Sequence, residues 1–370
     1  GDFSFAYWRF IPPPTFNQAA YRLFDNSDST NVGTPLAAQD TPATLGSTGA
    51  AFRLRMLLHI GAAQLSLNDQ SFKLQFAQRG ADNLCDTAFS GETYADVTAA
   101  TAIAYKDNPT PADGEALTAN ANDPTHGADT IVNQTYEELN NFTNSVAAIP
   151  SGQDGKWDFS LFDNGAAANT TFCFRAVKTD GTLLNTYTVI PQITTAAAAA
   201  TVSCTTPLTS TAFGTIDNNS VYTSSPNSTT TVTTDSATGF TMKVYDVGAP
   251  ATTTKPGLYC SACPGTDDEK TIGSANSSYA IEATLSAGTE GYGIQATTTS
   301  ASINIAPRFL KTGNDVGGLA ASSSNAVTLA SSSVAVTNQV VEIIHKAAVS
   351  TSNLQGSYTD TITLECTVNP

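Results

Sequence analysis

TDTITLECTV, Thr359 to Val368, alternates with a period of two: Ile362, Leu364, Cys366 and Val368 fall on one side, Thr361, Thr363, Glu365 and Thr367 on the other. That period belongs to a strand with one buried and one solvated face. The same alternation recurs upstream. Phe240, Met242 and Val244 form one such row, followed by Tyr279 with Ile281, Tyr292 with Ile294, and Val341, Ile343 and His345. Asn218-Asn219 and Thr238-Gly239 supply turn residues between them. Residues 202–370 therefore read as a β-sandwich domain.

Residues 15–195 carry the pattern too. Phe52, Leu54, Met56 and Leu58 alternate with Arg53, Arg55 and Leu57. Phe72, Leu74 and Phe76 alternate with Lys73, Gln75 and Ala77, and Trp157, Phe159 and Leu161 with Asp158 and Ser160. Each is expected to be a half-buried strand of a sandwich. Polar loops separate them, the longest from about Tyr105 to Asn133, and TYEELNNF around Tyr136 is expected to make a short helical turn. The small-residue seam TTAAAAAT, Thr194–Thr201, has no apolar period, and its five alanines are too few for a stable helix. Residues 196–201 are read as a linker.

The start is different. In GDFSFAYWRFI, Phe3, Phe5 and Tyr7 alternate onto one face and Trp8 and Phe10 onto the other, with Ile11 ending the run. This is the pattern of a strand buried on both sides. Pro12, Pro13 and Pro14 then favour a stiff extended spacer. Residues 1–14 thus form an apolar strand on a short rod, either donated to a neighbouring molecule or folded back as the first strand of its own domain.

Composition limits the function. Charged residues are only 13% of the chain, and 32 acidic against 16 basic residues give a net charge of −16. Such a surface repels nucleic acid and anionic lipid. No apolar run approaches the roughly 18–20 residues needed to span a bilayer, so no membrane insertion is expected. GDFSF reads as a processed terminus, and LECTVNP ends without a hydrophobic tail or lipidation motif.

Six cysteines, Cys85, Cys173, Cys204, Cys260, Cys263 and Cys366, allow 15 pairings among which sequence cannot choose. The set Cys85–Cys173, Cys204–Cys366 and Cys260–Cys263 keeps each bridge within one domain. Cys260-Ser-Ala-Cys263 is open to a redox or zinc reading, but neither a helix start nor a second ligand pair is visible beside it. Sequons at Asn133, Asn141, Asn169, Asn218, Asn227 and Asn276 mark where glycans could attach.

Several phrases resemble known families. TTFCFRAVKTDGTLLNTYTVIPQITT looks like the closing strands of a fibronectin type III domain, with Phe172, Phe174 and Ala176 on one side, a turn at Asp180-Gly181, and Tyr187 and Val189 returning. YRLFDNSDSTNVGTPLAAQDT, FRLRMLLHIG, SFKLQFAQ and GQDGKWDFSLFDN, in order, resemble a domain of large secreted surface proteins of uncultured bacteria. GTEGYGIQAT and GSYTDTITLECTV resemble a sandwich domain of pilin-like and coat-like surface proteins. The resemblance implies an all-β chain of two consecutive immunoglobulin/fibronectin-like β-sandwich domains behind an extended N-terminal strand, and it transfers no catalytic residues.

The chemistry of an enzyme is not visible. No His-Glu-x-x-His, Gly-x-Ser-x-Gly or phosphate loop occurs, and GSTG at Gly46–Gly49 has its serine misplaced for a nucleophile elbow. His59 and His345 lie in strands and read as structural residues. His126, in DPTHGAD with Asp123 and Asp129, reads as part of a plain polar turn, with metal binding as the alternative, and no residue is assigned as a ligand. Calcium is a further option at Asp25 with Asp28, at Asp107 with Asp113 and Glu115, and at Asp267 with Asp268 and Glu269, but none has the spacing of a calcium loop. The expected role is a non-enzymatic subunit of an extracellular, pilus-like filament on the cell surface, partnered by copies of itself through the N-terminal strand. A surface-layer lattice protein and an adhesive or carbohydrate-binding module are the alternatives.

Overall fold

A computed structural model describes residues 12–80, 85–139, 141–207, 210–247, 255–275 and 281–370. The aromatic run 1–11, Tyr279 and the Asn276 sequon lie outside the described residues. The chain is all-β, and no α-helix occurs among the described residues. It divides into two compact units, the first ending at Ala198 and the second spanning Ala199–Pro370, a division that falls inside the alanine seam.

The first unit is a two-sheet sandwich. One sheet runs Thr186–Tyr187, Thr15–Asp25, Ala51–Gly61, Gln153–Asp163, Ile103–Tyr105, with Ile131–Glu137 also beside Gln153–Asp163 and parallel to it. The other runs Ala43–Thr44, Gln192–Thr194, Thr171–Lys178, Ser71–Gln78, Ala95–Asp96, with Asn141–Thr143 also beside Ser71–Gln78. Phe52, Leu54, Met56, Trp157 and Phe159 of the first sheet bury against Phe72, Leu74 and Phe174 of the second. Edge-on ring contacts between Phe52 and Phe174, and between Phe72 and Trp157, tie the sheets together.

Three expectations are corrected here. TYEELNNF is not a helical turn. Ile131–Glu137 is a strand there, because its backbone pairs with Gln153–Asp163 and Tyr136 packs under the Arg53 guanidinium, 4.4 Å from the ring centroid. The closing segment is not a simple hairpin. It turns at Asp180-Gly181 as expected and bridges back briefly at Leu183 to Val177, but Thr186–Tyr187 crosses to the first sheet before Gln192–Thr194 pairs on Thr171–Lys178. The strands Ala51–Gly61 and Gln153–Asp163 are not half-buried: Arg53, Arg55, Lys156 and Asp158 are as inaccessible as Phe52 and Leu54.

The second unit is also built from two facing sheets. Val202–Thr205, Ser228–Thr234, Val336–Ala348, Gly291–Thr297, Asp315–Gly317 and Glu282–Thr284 form one, with Tyr222–Thr223 beside Val336–Ala348. Asn304–Ile305, Val327–Ser332, Phe240–Asp246 and Ile362–Val368 form the other. Phe240, Met242 and Val244 meet Tyr292, Ile294, Val341 and Ile343 in the core, as their alternation predicts. Ile281 departs from its expected place, being 55% exposed just before Glu282–Thr284. Ile362, Leu364 and Cys366 pack only partly against the core, since their strand lies at the edge of its sheet.

The cysteines form the bridges Cys85–Cys173, Cys204–Cys366 and Cys260–Cys263. Cys260–Cys263 closes the turn after the short strand Gly257–Tyr259. Gly356 lies against it: a Cβ there would come within 2.4 Å of both sulfurs.

Candidate metal centre

Strand register creates a polar row on the outer face of the first sheet. Arg53 stands opposite Ser160, Arg55 opposite Asp158, Leu57 opposite Lys156 and His59 opposite Asp154. Their neighbours Phe52, Leu54, Met56 and Leu58 fill the inner face. In an ordinary sandwich this outer row would be wet. Here the segments around 25–31 and 106–130 lie over it and accept its hydrogen bonds.

Those bonds account for nearly every charge. Arg53 donates Nε and Nη2 to Asp158 at 3.0 and 2.8 Å, and Nη1 to the carbonyls of Ser27 and Ser29. Arg55 donates Nε to the same carboxylate at 2.7 Å, Nη2 to the Thr30 carbonyl, and Nη1 to Asp123. Lys156 donates to Asp123 and to the Thr118 carbonyl. Burial, with Arg55 nearby adding to it, lowers the Lys156 ammonium, while Asp123 acts against both. Three cations thus share two carboxylates beneath a cover of backbone carbonyls.

At one end of the row four side chains converge. His59 sits near the end of Ala51–Gly61 and Asp154 near the start of Gln153–Asp163. His126 and Asp129 come from the long loop, on a turn in which the Asp129 N–H donates to the His126 carbonyl and Gly127 takes a φ of 58°. The Thr130 carbonyl accepts the Asp154 N–H at 3.1 Å and holds the loop to the strand. His59 Nδ1 is 3.0 Å from Asp154 Oδ1 and 3.1 Å from Asp129 Oδ2. His126 Nδ1 is 3.3 Å from Asp154 Oδ1 and 3.1 Å from Asp129 Oδ2. Asp154 is fully buried, its Oδ2 has no hydrogen-bond partner, and burial raises its carboxyl above the usual range against the pull of both imidazoles.

Among the described residues these four form the one grouping of three or more His, Cys, Asp or Glu donors close enough to share an ion, with all donor atoms within 4.8 Å of one another. Of the three residues weighed for a metal in DPTHGAD, two belong to this group. His126 and Asp129 stay together, but Asp123 turns to Arg55 and Lys156, and its place is taken by Asp154. His59, expected to be merely structural, joins the group. His345 does sit beside a core residue, Nδ1 3.1 Å from the Tyr292 hydroxyl.

The acidic groups considered for calcium are otherwise engaged or exposed. Asp113 accepts the N–H groups of Glu138 and Leu139, Glu269 accepts from Thr266, and Asp267 accepts from the Tyr259 hydroxyl. Asp25, Asp28 and Asp107 are exposed. Of the sequons, Asn141 and Asn169 are exposed, Asn133 and Asn218 are half-buried, and Asn227 donates to Glu342 at 2.8 Å.

No protein-family model and no curated protein matches the sequence. Among solved structures, the chain overlaps the CsuC–CsuE chaperone–tip adhesion subunit pre-assembly complex of archaic chaperone-usher Csu pili of Acinetobacter baumannii, with a TM-score of 0.29 at 10% identity over 88% of this chain and 97% of that one. It also overlaps a chaperone–tip adhesin complex of CFA/I fimbriae biogenesis, with a TM-score of 0.28 at 12% identity over 95% and 84%. A third overlap is with the serine-rich repeat protein Srr2 of Streptococcus agalactiae, with a TM-score of 0.22 at 10% identity over 94% and 93%. At such TM-scores these overlaps carry no argument about role.

Proposed function

We propose that the chain is a non-enzymatic structural subunit of an extracellular filament on a cell surface, joined head to tail by donation of the 1–11 strand to a groove on the next copy. The observation that carries this reading is the Cys204–Cys366 bridge. It links the first strand of the second unit, Val202–Thr205, to the last, Ile362–Val368. A pull on the two ends of that unit then runs through one covalent bond, and the sandwich between them is not unravelled. Such a link suits a subunit under tension. Three bridges among six cysteines also suit an oxidising compartment. The N-terminal sequence supports the mode of joining, since leaving Phe3, Phe5, Tyr7, Trp8 and Phe10 in water would cost roughly 1.5–3 kcal/mol each. An apolar strand beyond a proline rod can fill a sheet edge in a neighbour, and such heterologous contacts propagate.

The test compares the full chain with one lacking residues 1–11, both prepared under oxidising conditions and viewed by negative-stain electron microscopy. Filaments from the full chain and a folded monomer from the shorter one are expected. Equal assembly by both would replace strand donation with lateral lattice contacts. Misfolding of the shorter chain, read by circular dichroism, would return the strand to its own domain and overturn the proposal.

A further inference from the structure

We propose that His59, His126, Asp129 and Asp154 bind a four-coordinate divalent transition ion of the Zn²⁺ type, which fastens the 106–130 loop onto the outer face of the first sheet. The argument starts from the closed ring of donor atoms. Its edges are 3.0 Å from His59 to Asp154, 3.3 Å from Asp154 to His126, 3.1 Å from His126 to Asp129 and 3.1 Å from Asp129 to His59. A tetrahedral ion about 2.0–2.1 Å from each donor needs donor separations of about 3.3–3.4 Å. The four edges lie within a few tenths of an ångström of that separation, and all four donor atoms fall within 4.8 Å of one another.

Hydrogen bonding alone serves the four groups poorly. Each Nδ1 faces the same two carboxylate oxygens, yet a neutral imidazole has at most one Nδ1 proton to give. The second oxygen of Asp154 is buried without any partner, so the carboxylate has little but the two imidazoles to offset its charge. A dication between them neutralises both carboxylates and uses both imidazole lone pairs. The donor types select the ion class. Two imidazoles with two carboxylates suit Zn²⁺ and its first-row neighbours, whereas Ca²⁺ seeks six to eight oxygens at longer range. With four protein ligands the site is closed in the manner of a structural centre.

The position explains what the ion would do. Asp129 and His126 belong to the loop that also supplies Asp123 and the Thr118 carbonyl to the buried cations. Fixing one end of that loop keeps the cover over Arg55 and Lys156. Partial exposure of His59, His126 and Asp129, at 25, 34 and 28% of their side chains, leaves a path for the ion to enter.

The experiment uses the full oxidised chain, stripped with a chelator and dialysed, with Zn²⁺ added during calorimetry and elemental analysis. One Zn²⁺ per chain, a rise in melting temperature with Zn²⁺ but not with Ca²⁺, and the intense visible bands of tetrahedral Co²⁺ on substitution are expected. His126→Ala and Asp129→Asn alter partly exposed loop positions and leave the core intact. Each is expected to weaken Zn²⁺ binding by more than about 100-fold, beyond the 10–100-fold typical of outer-shell partners, with an unchanged circular dichroism spectrum. No uptake by the stripped, folded chain would overturn the site, as would uptake that both variants retain or a weak octahedral Co²⁺ spectrum.

Discussion

Asp158 receives both Nε and Nη2 of Arg53, and neither side chain reaches solvent. The same carboxylate takes Nε of Arg55, so one anion holds two guanidinium groups inside the first unit. Well-packed apolar residues in place of such a cluster are often neutral or stabilising, but removing one partner alone leaves buried charge uncompensated. Asp158→Asn is therefore expected to destabilise the chain by about 3–5 kcal/mol, measured as a drop in the urea midpoint of the first unit. A loss below about 1 kcal/mol, the scale of exposed pairs, would mean that water reaches the cluster.

Glu137 gives a pH signature. Burial lifts its carboxyl to about 8, the Thr135 hydroxyl opposes the shift by donating to it, and Asp113 adds to it. Below an unfolded carboxyl value of about 4.3 both states are protonated and the shift contributes nothing. Above it the unfolded chain releases a proton that the fold retains, so stability falls until pH 8 and is then level. Each unit is worth about 1.4 kcal/mol, which makes the deficit several kcal/mol. Glu137→Gln removes the carboxyl but keeps the acceptor for Thr135. The variant is expected to match the parent at pH 4 and exceed it by an increasing margin up to pH 8, by denaturant titration at each pH. A gap independent of pH would trace the effect to packing.

His345 works in the opposite window. Burial lowers its imidazole to about 4. Above the ordinary value of about 6.5 both states are neutral. Between there and pH 4 the unfolded chain takes up a proton that the fold refuses, and stability drops. His345→Gln, which retains a polar partner for Tyr292, is expected to flatten the melting temperature of the second unit between pH 6.5 and 4.5. An unchanged slope would assign the acid sensitivity elsewhere.

Alternation made the strands legible, because a period of two survives whatever packs above it. Phe52 to Leu58, Phe240 to Val244 and Ile362 to Val368 are all strands with the expected inward residues. What alternation does not carry is the fate of the other face. Arg53 and Arg55 look like solvent-facing residues until the Ser27, Ser29 and Thr30 carbonyls of one segment and Asp123 of another cover them, and nothing local announces those contacts. The four-residue His and Asp cluster is half visible in the sequence because His126 and Asp129 share a turn. His59 and Asp154 join them through cross-strand register, which is a long-range property. Asp154-Gly155 also carries the signature of a turn while lying within a strand, where Gly155 is needed: a Cβ there would meet Ile149 at 2.5 Å and the Trp157 ring at 2.6 Å.

Cys204 and Cys366 lie 162 residues apart, on the first and last strands of the second unit. Closing so long a loop limits the unfolded ensemble, and losing the bridge typically costs about 2–5 kcal/mol. The double variant Cys204→Ser, Cys366→Ser is expected to lose stability on that scale. Pulling gives a sharper measurement. With the bridge intact, stretching the chain by its ends leaves the segment between the cysteines unextended. Without it, unfolding of the second unit releases about 3.3–3.6 Å per residue, on the order of 50–60 nm for the loop between residues 204 and 366. Force spectroscopy of the oxidised chain should therefore lack a step of that length and regain it in the double variant or after reduction. If the oxidised chain already shows the long step, the bridge does not carry tension in solution, and the mechanical argument for a filament subunit fails with it.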